Sequence, residues 1–299
     1  MTLQQLKYVV TVAECGNITE AAKQLFVSQP TVTSAIHDLE KEMQIVIFVR
    51  TNKGVILSED GERFLGHARQ VLEQVDLIEG IYKNDVVSKP HFAVSCQHYS
   101  FAVNAFVDVI RRFDAYQYDF TIREEQTHEI IEDVTNLKSE LGVIYLSSKN
   151  TEVLSKMLKR NELEFTELFT ATPHVFICDS HPLAKKKSIT MDDLQDYPYL
   201  TYEQGEYNSQ YFSEEFVSTL DSRKNIRVRD RATLFNLIIG LNGYTVCSGV
   251  ISAELNGRNI ISKPLDVEEY MRIGIITRKG VVLSRYAREY IEALKAHCM

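Results

Sequence analysis

What the 299-residue chain lacks narrows its function first. No apolar run approaches the roughly 20 residues that cross a bilayer, so no membrane partner is expected. The opening MTLQQLKYVV has neither the basic stretch nor the small-residue cleavage site of a secretion signal, so export is not expected. The five cysteines, Cys15, Cys96, Cys178, Cys247 and Cys298, lie far apart and form no CxxC pair. Such a set indicates neither a disulfide framework nor a zinc site, and a reducing cytoplasm is the natural compartment. No P-loop, nucleophile elbow, dinucleotide fingerprint or metal-spaced His/Glu set is present, and the eight histidines are scattered. An enzyme is therefore not expected, nor a cofactor, nor a metal. An exported solute-binding protein would need a signal peptide and would have no use for residues 1–85. Internal repeats and low-complexity segments are also absent.

Positive charge is scarce too. The net charge is −8 with a pI near 5.6, which taken alone disfavours a phosphate-binding protein. Residues 1–58 carry five basic groups (Lys7, Lys23, Lys41, Arg50, Lys53) against five acidic ones (Glu14, Glu20, Asp38, Glu40, Glu42). If this segment binds DNA, it must use a locally placed patch and more than one copy.

What is present begins with three short helices and a hairpin. Leu3, Leu6, Val9, Val10 and Ala13 recur at helical spacing, and Gly16-Asn17 stops that helix. Thr19 reads as the cap of a second helix with Ala21, Ala22 and Leu25 buried, and Ser28 as the cap of a third with Pro30 in its first turn. The third helix buries Val32, Ala35, Ile36, Leu39 and Met43. Two β-rich runs then flank Thr51-Asn52-Lys53-Gly54, a wing with Arg50 and Lys53 at its tip.

From Ser58 a long helix follows. Its Phe64, Ala68, Val71, Val75, Ile78 and Tyr82 are spaced by four and three, a heptad seam that predicts pairing with a second copy. NDVVSKP (84–90) reads as a hinge. Beyond it strands and helices alternate in the rhythm of a mostly parallel sheet, from HFAVS through YDFTIRE, a helix over 127–140 and LGVIYLS. HVFICDS, a helix near 209–220, NIRVRD, ATLFNLIIGL, YTVCSG, MRIGIITRK and a helix from about Ser284 to Ala296 complete the series.

The third helix carries the functional signal. With Val32, Ile36 and Leu39 inward, it presents Gln29, Thr33, Ser34 and His37 outward, with Thr31 at the edge. Short hydroxyl and amide groups near a helix N-terminus suit the DNA major groove. Gln pairs bidentately with adenine, hydroxyls serve bases or phosphates, and free N–H groups favour phosphate.

NITEAAKQLFVSQPTVTSAIHDLEKEM followed by FVRTNKGVILSEDGERFLGHARQVL resembles the N-terminal region of LysR-type transcriptional regulators over residues 1 to about 85. DSHPLA (179–184) and RYAREYIEAL match weaker C-terminal landmarks. The resemblance implies an N-terminal all-α winged helix-turn-helix plus long linker helix, then a C-terminal α/β two-lobed periplasmic-binding-protein-like regulatory domain. The expected boundaries are 1–58, 59–89 and 90–299, with lobe I at about 90–163 and 267–299 and lobe II at about 164–266. It also implies base or backbone contacts at Gln29, Pro30, Thr33 and Ser34 and phosphate contacts at Arg50 and Lys53; with Thr31 and His37 from the outward face these make the expected DNA-binding set, for a double-stranded DNA operator read by a homodimer or tetramer. The family's usual Arg after the position of Ser34 is here Ala35, and Ser139-Glu140-Leu141-Gly142 replaces its G-x-L-D turn.

In two-lobed α/β domains ligands bind at strand C-termini, in the crevice between lobes. Those edges predict an effector set of Ser95, Cys96, Gln97, His98 and Ser100, then Gln126, Thr127 and Ser147, and from lobe II Thr201 and Tyr202. A carboxylate-bearing inducer is the default; Glu124, Glu125 and Glu203 nearby would instead match an amine, which makes an amino acid the alternative. Cys96 raises a redox sensor as a further alternative, although no neighbouring cysteine in sequence serves to resolve it.

Overall fold

Thr2 and Gln5 close a reciprocal capping box, Thr2 Oγ1 accepting from the Gln5 N–H and the Gln5 side chain from the Thr2 N–H. This box starts α1 (Leu3–Cys15), which ends at Gly16 with φ 61°, a left-handed conformation suited to glycine. The computed structural model describes residues 1–52, 54–83, 90–113, 117–205, 211–215, 223–251 and 257–298. Contacts divide the chain into two units, Met1–Pro90 with Asn136–Lys138, and His91–Thr135 with Ser139–Met299.

In the first unit, Asn17 rather than Thr19 caps α2 (Ile18–Gln24). Its Oδ1 accepts from the N–H groups of Thr19 and Glu20, at 2.8 and 3.2 Å, and Thr19 already lies inside the helix. Ser28 caps α3 (Gln29–Met43), as expected, by accepting from the Thr31 N–H. Val9, Val12, Ala21, Val32 and Leu39 form the heart of this small core. Each fully buried Val or Leu side chain there contributes roughly 1.5–3 kcal/mol. Met43, expected inside, is 40% exposed at the helix end.

The wing is β1 (Phe48–Thr51) paired antiparallel with β2 (Gly54–Leu57), which places Arg50 opposite Val55. Two ties fix it. Glu40 Oε1 accepts from the Ile47 and Phe48 N–H groups at 2.7 and 3.1 Å, and the Val55 N–H donates to Gly16 O at 2.9 Å. Gly54 has φ 144°, and a Cβ on it would lie 2.3 Å from Gly16 O, so only glycine fits. Helix α4 (Glu59–Lys83) follows, with Glu59, Asp60 and Glu62 in its first turn, where the helix dipole favours them.

The second unit is built on two sheets. The first has the order β4 (Asp119–Glu124), β3 (His91–Cys96), β5 (Leu141–Leu146), β12 (Met271–Arg278), β6 (Leu163–Ala171). β3 runs parallel to β4 and β5, whereas β12 is antiparallel to both its neighbours. The expected mostly parallel sheet is thus interrupted by the returning C-terminal strand. Because β6 pairs with β12 as far as Ala171, the first sheet extends beyond the expected boundary near residue 163. Helices α5 (Ser100–Phe113) and α9 (Arg285–Cys298) cover one face. α6 (Thr127–Thr135) and α7 (Thr151–Arg160) cover the other. α6 is shorter than the expected 127–140; the chain beyond it adopts φ +57° at Leu137.

The second sheet sets β7 (His174–Cys178) between β10 (Thr245–Cys247) and β11 (Ile260–Pro264), both antiparallel to it. A parallel pair, β8 (Tyr199–Tyr202) and β9 (Asn225–Val228), joins through a bridge from Tyr199 to Tyr244. Asp230 caps α8 (Arg231–Leu241). The helix expected near 209–220 is not seen in its described part, where residues 211–215 form turns; the rest lies outside the described residues. One apolar cluster runs from Phe92 and Val94 through Tyr145 to Val175, Tyr199 and Val246, so both lobes share a continuous core. Among the described residues no helix is long and apolar enough to cross a membrane.

Candidate functional site

Helix α3 divides cleanly into two faces. Val32, Ile36 and Leu39 are buried; Gln29, Pro30, Thr31, Ser34 and His37 are exposed, and Thr33 is half-buried. The Gln29 amide donates to Thr33 Oγ1 at 2.8 Å, and the Ser28 and Thr31 hydroxyls lie 2.7 Å apart. The turn before the helix places Phe26 at φ 55° and leaves the residue 96% exposed. Arg50 is exposed on β1, and Lys53 lies outside the described residues. This face can offer amide and hydroxyl groups to base edges, with a cation on the adjoining wing.

The heptad seam of α4 is split. Phe64 packs against the N-terminal core and Ala68 is 2% exposed, because the first half of α4 lies on α1. Val71 and Ile78 remain open at 41% and 58%, and Val75 is half-buried. The Tyr82 side chain lies outside the described residues.

In the second unit the lobes meet at His98, in the turn between β3 and α5. Its ring stacks on Tyr202 from β8 with centroids 3.8 Å apart and planes 6° from parallel. Its Nδ1 lies 2.8 Å from Glu214 Oε2, its backbone N–H donates to the same carboxylate at 3.0 Å, and its Nε2 lies 3.1 Å from Arg229 O. Gln204 Nε2 donates to Glu214 as well. Burial works against an imidazolium here, but the charge and hydrogen bond of Glu214 outweigh it and raise His98 above its ordinary value. Next to it, Glu215 accepts from the Tyr202 N–H at 2.6 Å and the Ser213 hydroxyl at 2.9 Å. Burial, then the charge of Glu214, push its carboxyl up to about 8.

These groups bound a small cavity of about 30 Å³, lined also by Ser100, Arg231, Thr245 and Ser248. His98 also lines an outer recess of about 460 Å³, together with Glu124, Glu125, Gln126, Glu129, Glu132 and Arg229. Arg231 pairs with Glu124 at 3.0 Å, and Arg229 pairs with Glu203.

Residues 3–62 match the bacterial regulatory helix-turn-helix proteins of the lysR family, and residues 96–299 match the LysR substrate binding domain. The chain belongs to the LysR family. It is a DNA-binding transcriptional regulator with an effector-binding substrate domain. The regulator is similar to the uncharacterized HTH-type transcriptional regulator YbhD of Escherichia coli K12, 27% identical over 98% of this chain and 90% of that one. It is also similar to the E. coli K12 dual regulator OxyR, 22% identical over 99% and 95%. A full-length OxyR from Pseudomonas aeruginosa shares the fold with a TM-score of 0.65 at 21% identity, covering 99% of this chain and 95% of that one. The family and these relatives are transcriptional regulators, not enzymes.

Of the expected effector residues, this LysR-family chain brings His98, Ser100 and Tyr202 to the inner cavity and Gln126 to the outer recess. The others are placed elsewhere. Ser95 points to the α6 side of the sheet, donating to Asp133 at 3.0 Å with Ser139 at 2.9 Å, because alternate residues of a strand face opposite ways. Cys96 faces the other side, fully buried in the apolar core, and burial raises its thiol well above the ordinary value. A reactive thiolate is the opposite of that, so the redox alternative loses its residue.

Gln97 and Thr127 are spent as buried ties. Gln97 Nε2 donates to Thr127 Oγ1 at 2.6 Å, its Oε1 accepts from the Tyr145 N–H and the Tyr99 hydroxyl, and Thr127 Oγ1 donates to Phe212 O. Ser147 accepts from the Lys149 N–H in the turn before α7, and Thr201 lines neither recess. Sequence reasoning missed Glu214, Glu215, Arg231 and Thr245. Glu214 reaches His98 across 116 residues, a separation that no local pattern reports.

Proposed function

We propose that residues 1–58 read a two-fold-related DNA operator, that residues 59–89 pair two chains, and that residues 90–299 bind the effector between lobes. Gln29, Thr31, Thr33, Ser34 and His37, with Pro30 at the helix start, enter the major groove, and Arg50 and Lys53 meet phosphate. The observation that carries this reading is the exposed polar face of α3, held by a satisfied cap and flanked by an anchored wing. Pairing uses the open part of the α4 seam, Val71, Val75 and Ile78, with Tyr82 beyond them; Phe64 and Ala68 stay within one chain. Dimers join into tetramers, and the linked copies give the avidity that a nearly uncharged DNA-binding unit needs.

The effector is a small molecule in the cleft at His98, Ser100, Tyr202 and Gln126, and its binding shifts how the dimers engage DNA. The chain acts in the cytoplasm and catalyses no reaction. Operator capture from the DNA flanking its own gene, with and without candidate effectors, tests the reading. A bulky Ser100→Trp change should abolish the effector response while sequence-specific binding persists. An unchanged response would remove the cleft from the account.

A further inference from the structure

The inner cavity has an unusual balance of charge. Glu214 and Glu215 are 6% and 2% exposed, and both border it. Among the charged groups around them, Arg231 is matched by Glu124 at 3.0 Å and His98 by Glu214 at 2.8 Å. Glu215 is left with neutral donors, the Tyr202 N–H and the Ser213 hydroxyl. Thr245, on the cavity wall and 4% exposed, has a buried hydroxyl with no hydrogen-bond partner among the described residues. A buried hydroxyl left unsatisfied costs about 1–3 kcal/mol, so it marks a place where a polar group belongs.

A carboxylate would fit badly here. Around the start of α5 the His98 backbone N–H and the Gln204 amide already go to Glu214, the His98 ring lies 2.8 Å from the same carboxylate, and the Ser100 hydroxyl reaches Val250 O at 3.5 Å. An incoming anion would therefore meet two carboxyl groups and no free cation to pair with. An ammonium or guanidinium group meets an unmatched carboxyl and an unmatched hydroxyl oxygen. The volume of about 30 Å³ suits one compact polar group. The larger recess that His98 also lines carries Glu124, Glu125, Glu129 and Glu132 beside Arg229. Arg229 is paired with Glu203, Glu124 with Arg231, and Glu125 lies 4.0 Å from Arg123, so the acidic excess there rests on Glu129 and Glu132.

We propose that this cleft takes an organic amine, one cationic group resting on Glu215 and Thr245 and the remainder passing His98 into the acidic recess. This rests on the reading of the cleft as the effector site. The Glu215 carboxyl, held up at about 8, carries a proton at neutral pH before the ligand arrives. A cation brought against it expels that proton to solvent, so binding is coupled to proton release.

The test is calorimetric titration of the full-length protein at pH 7 and low salt, in two buffers of different ionisation heat. The probes are spermidine, agmatine and the dicarboxylate glutarate. At least one amine should bind saturably, one per chain, with release of up to one proton, and glutarate should not bind. Glu215→Gln should weaken amine binding tenfold or more and abolish the proton release. Thr245→Val removes a hydroxyl that has no partner and keeps the shape, so it should fold normally and weaken the amine as well. No saturable amine binding, or amine binding unchanged in both variants, overturns the proposal. Glutarate binding that is lost in Ser100→Trp overturns the amine class and leaves the cleft intact. An effector response unchanged in Ser100→Trp overturns the cleft itself.

Discussion

The Gln29 amide is held by the Thr33 hydroxyl one turn further along α3, at 2.8 Å. This bond fixes the side chain best suited to adenine while leaving its carbonyl oxygen and second N–H to face outward. Gln29→Ala should therefore relax preference at one operator position by about 1–3 kcal/mol. Thr33→Val, which keeps the bulk and frees the amide, should lower discrimination at the same position by less. Selection from random DNA with each variant reads both effects, and equal base preference across wild type and variants would sink the assignment.

Arg50 stands on an exposed strand opposite Val55, on the wing rather than on α3. Arg50→Ala should weaken binding to all sequences about equally and reduce the slope of log K against log salt by about 1. Fluorescence anisotropy over a salt series on specific and scrambled duplexes measures this. A loss confined to the specific duplex would mean that Arg50 reads bases.

Glu40 links helix and wing by accepting from both the Ile47 and the Phe48 N–H groups. Glu40→Ala leaves two partly buried donors without their acceptor and should cost about 1–3 kcal/mol of stability, with DNA affinity falling as the wing loosens. Glu40→Gln retains an acceptor oxygen and should cost less. Thermal melts of the two variants give the ordering, and equal melting temperatures would show that the wing is held otherwise.

Two groups at the cleft set a pH dependence of the same sign. His98 is raised above its ordinary 6.5, so the stability it contributes is full below that value and is lost as pH rises through its higher folded value. Glu215 is raised from 4.5 to about 8, so the native chain holds a proton that the unfolded chain releases, and stability falls as pH rises between those values. Melting temperature should decline from pH 5 to pH 8, and Glu215→Gln should flatten part of that decline. A wild-type curve that rises over this window would contradict the arrangement.

The DNA-reading half was the more legible in the sequence because its signals are local. Helical period separates Val32, Ile36 and Leu39 from Gln29, Ser34 and His37, and Ser28 caps as its type suggests. The misplaced cap, Thr19 for Asn17, is an error of two residues between good capping types. The cleft was less legible. That β3 ends near the cleft is readable, but which face Ser95 takes depends on what packs above and below the strand, and α6 claims it through Asp133. Gln97 and Thr127 looked like ligand groups because amides and hydroxyls serve equally as buried ties. Glu214 and Glu215 sit in a turn-rich segment whose only sequence signal is an adjacent acidic pair, and their role comes from long-range contacts with His98 and Tyr202.

The central claim is that one chain reads DNA through α3 and changes that reading through a ligand at His98. Footprinting of full-length protein on a sequence selected from random DNA tests it most directly, with amine added at saturating concentration. The account predicts protection of two half-sites on one face of the duplex, lost in Gln29→Ala at the preferred position. It also predicts an altered extent of protection with amine in wild type but not in Glu215→Gln. A footprint without sequence preference, or one that responds to ligand identically in both proteins, would contradict it.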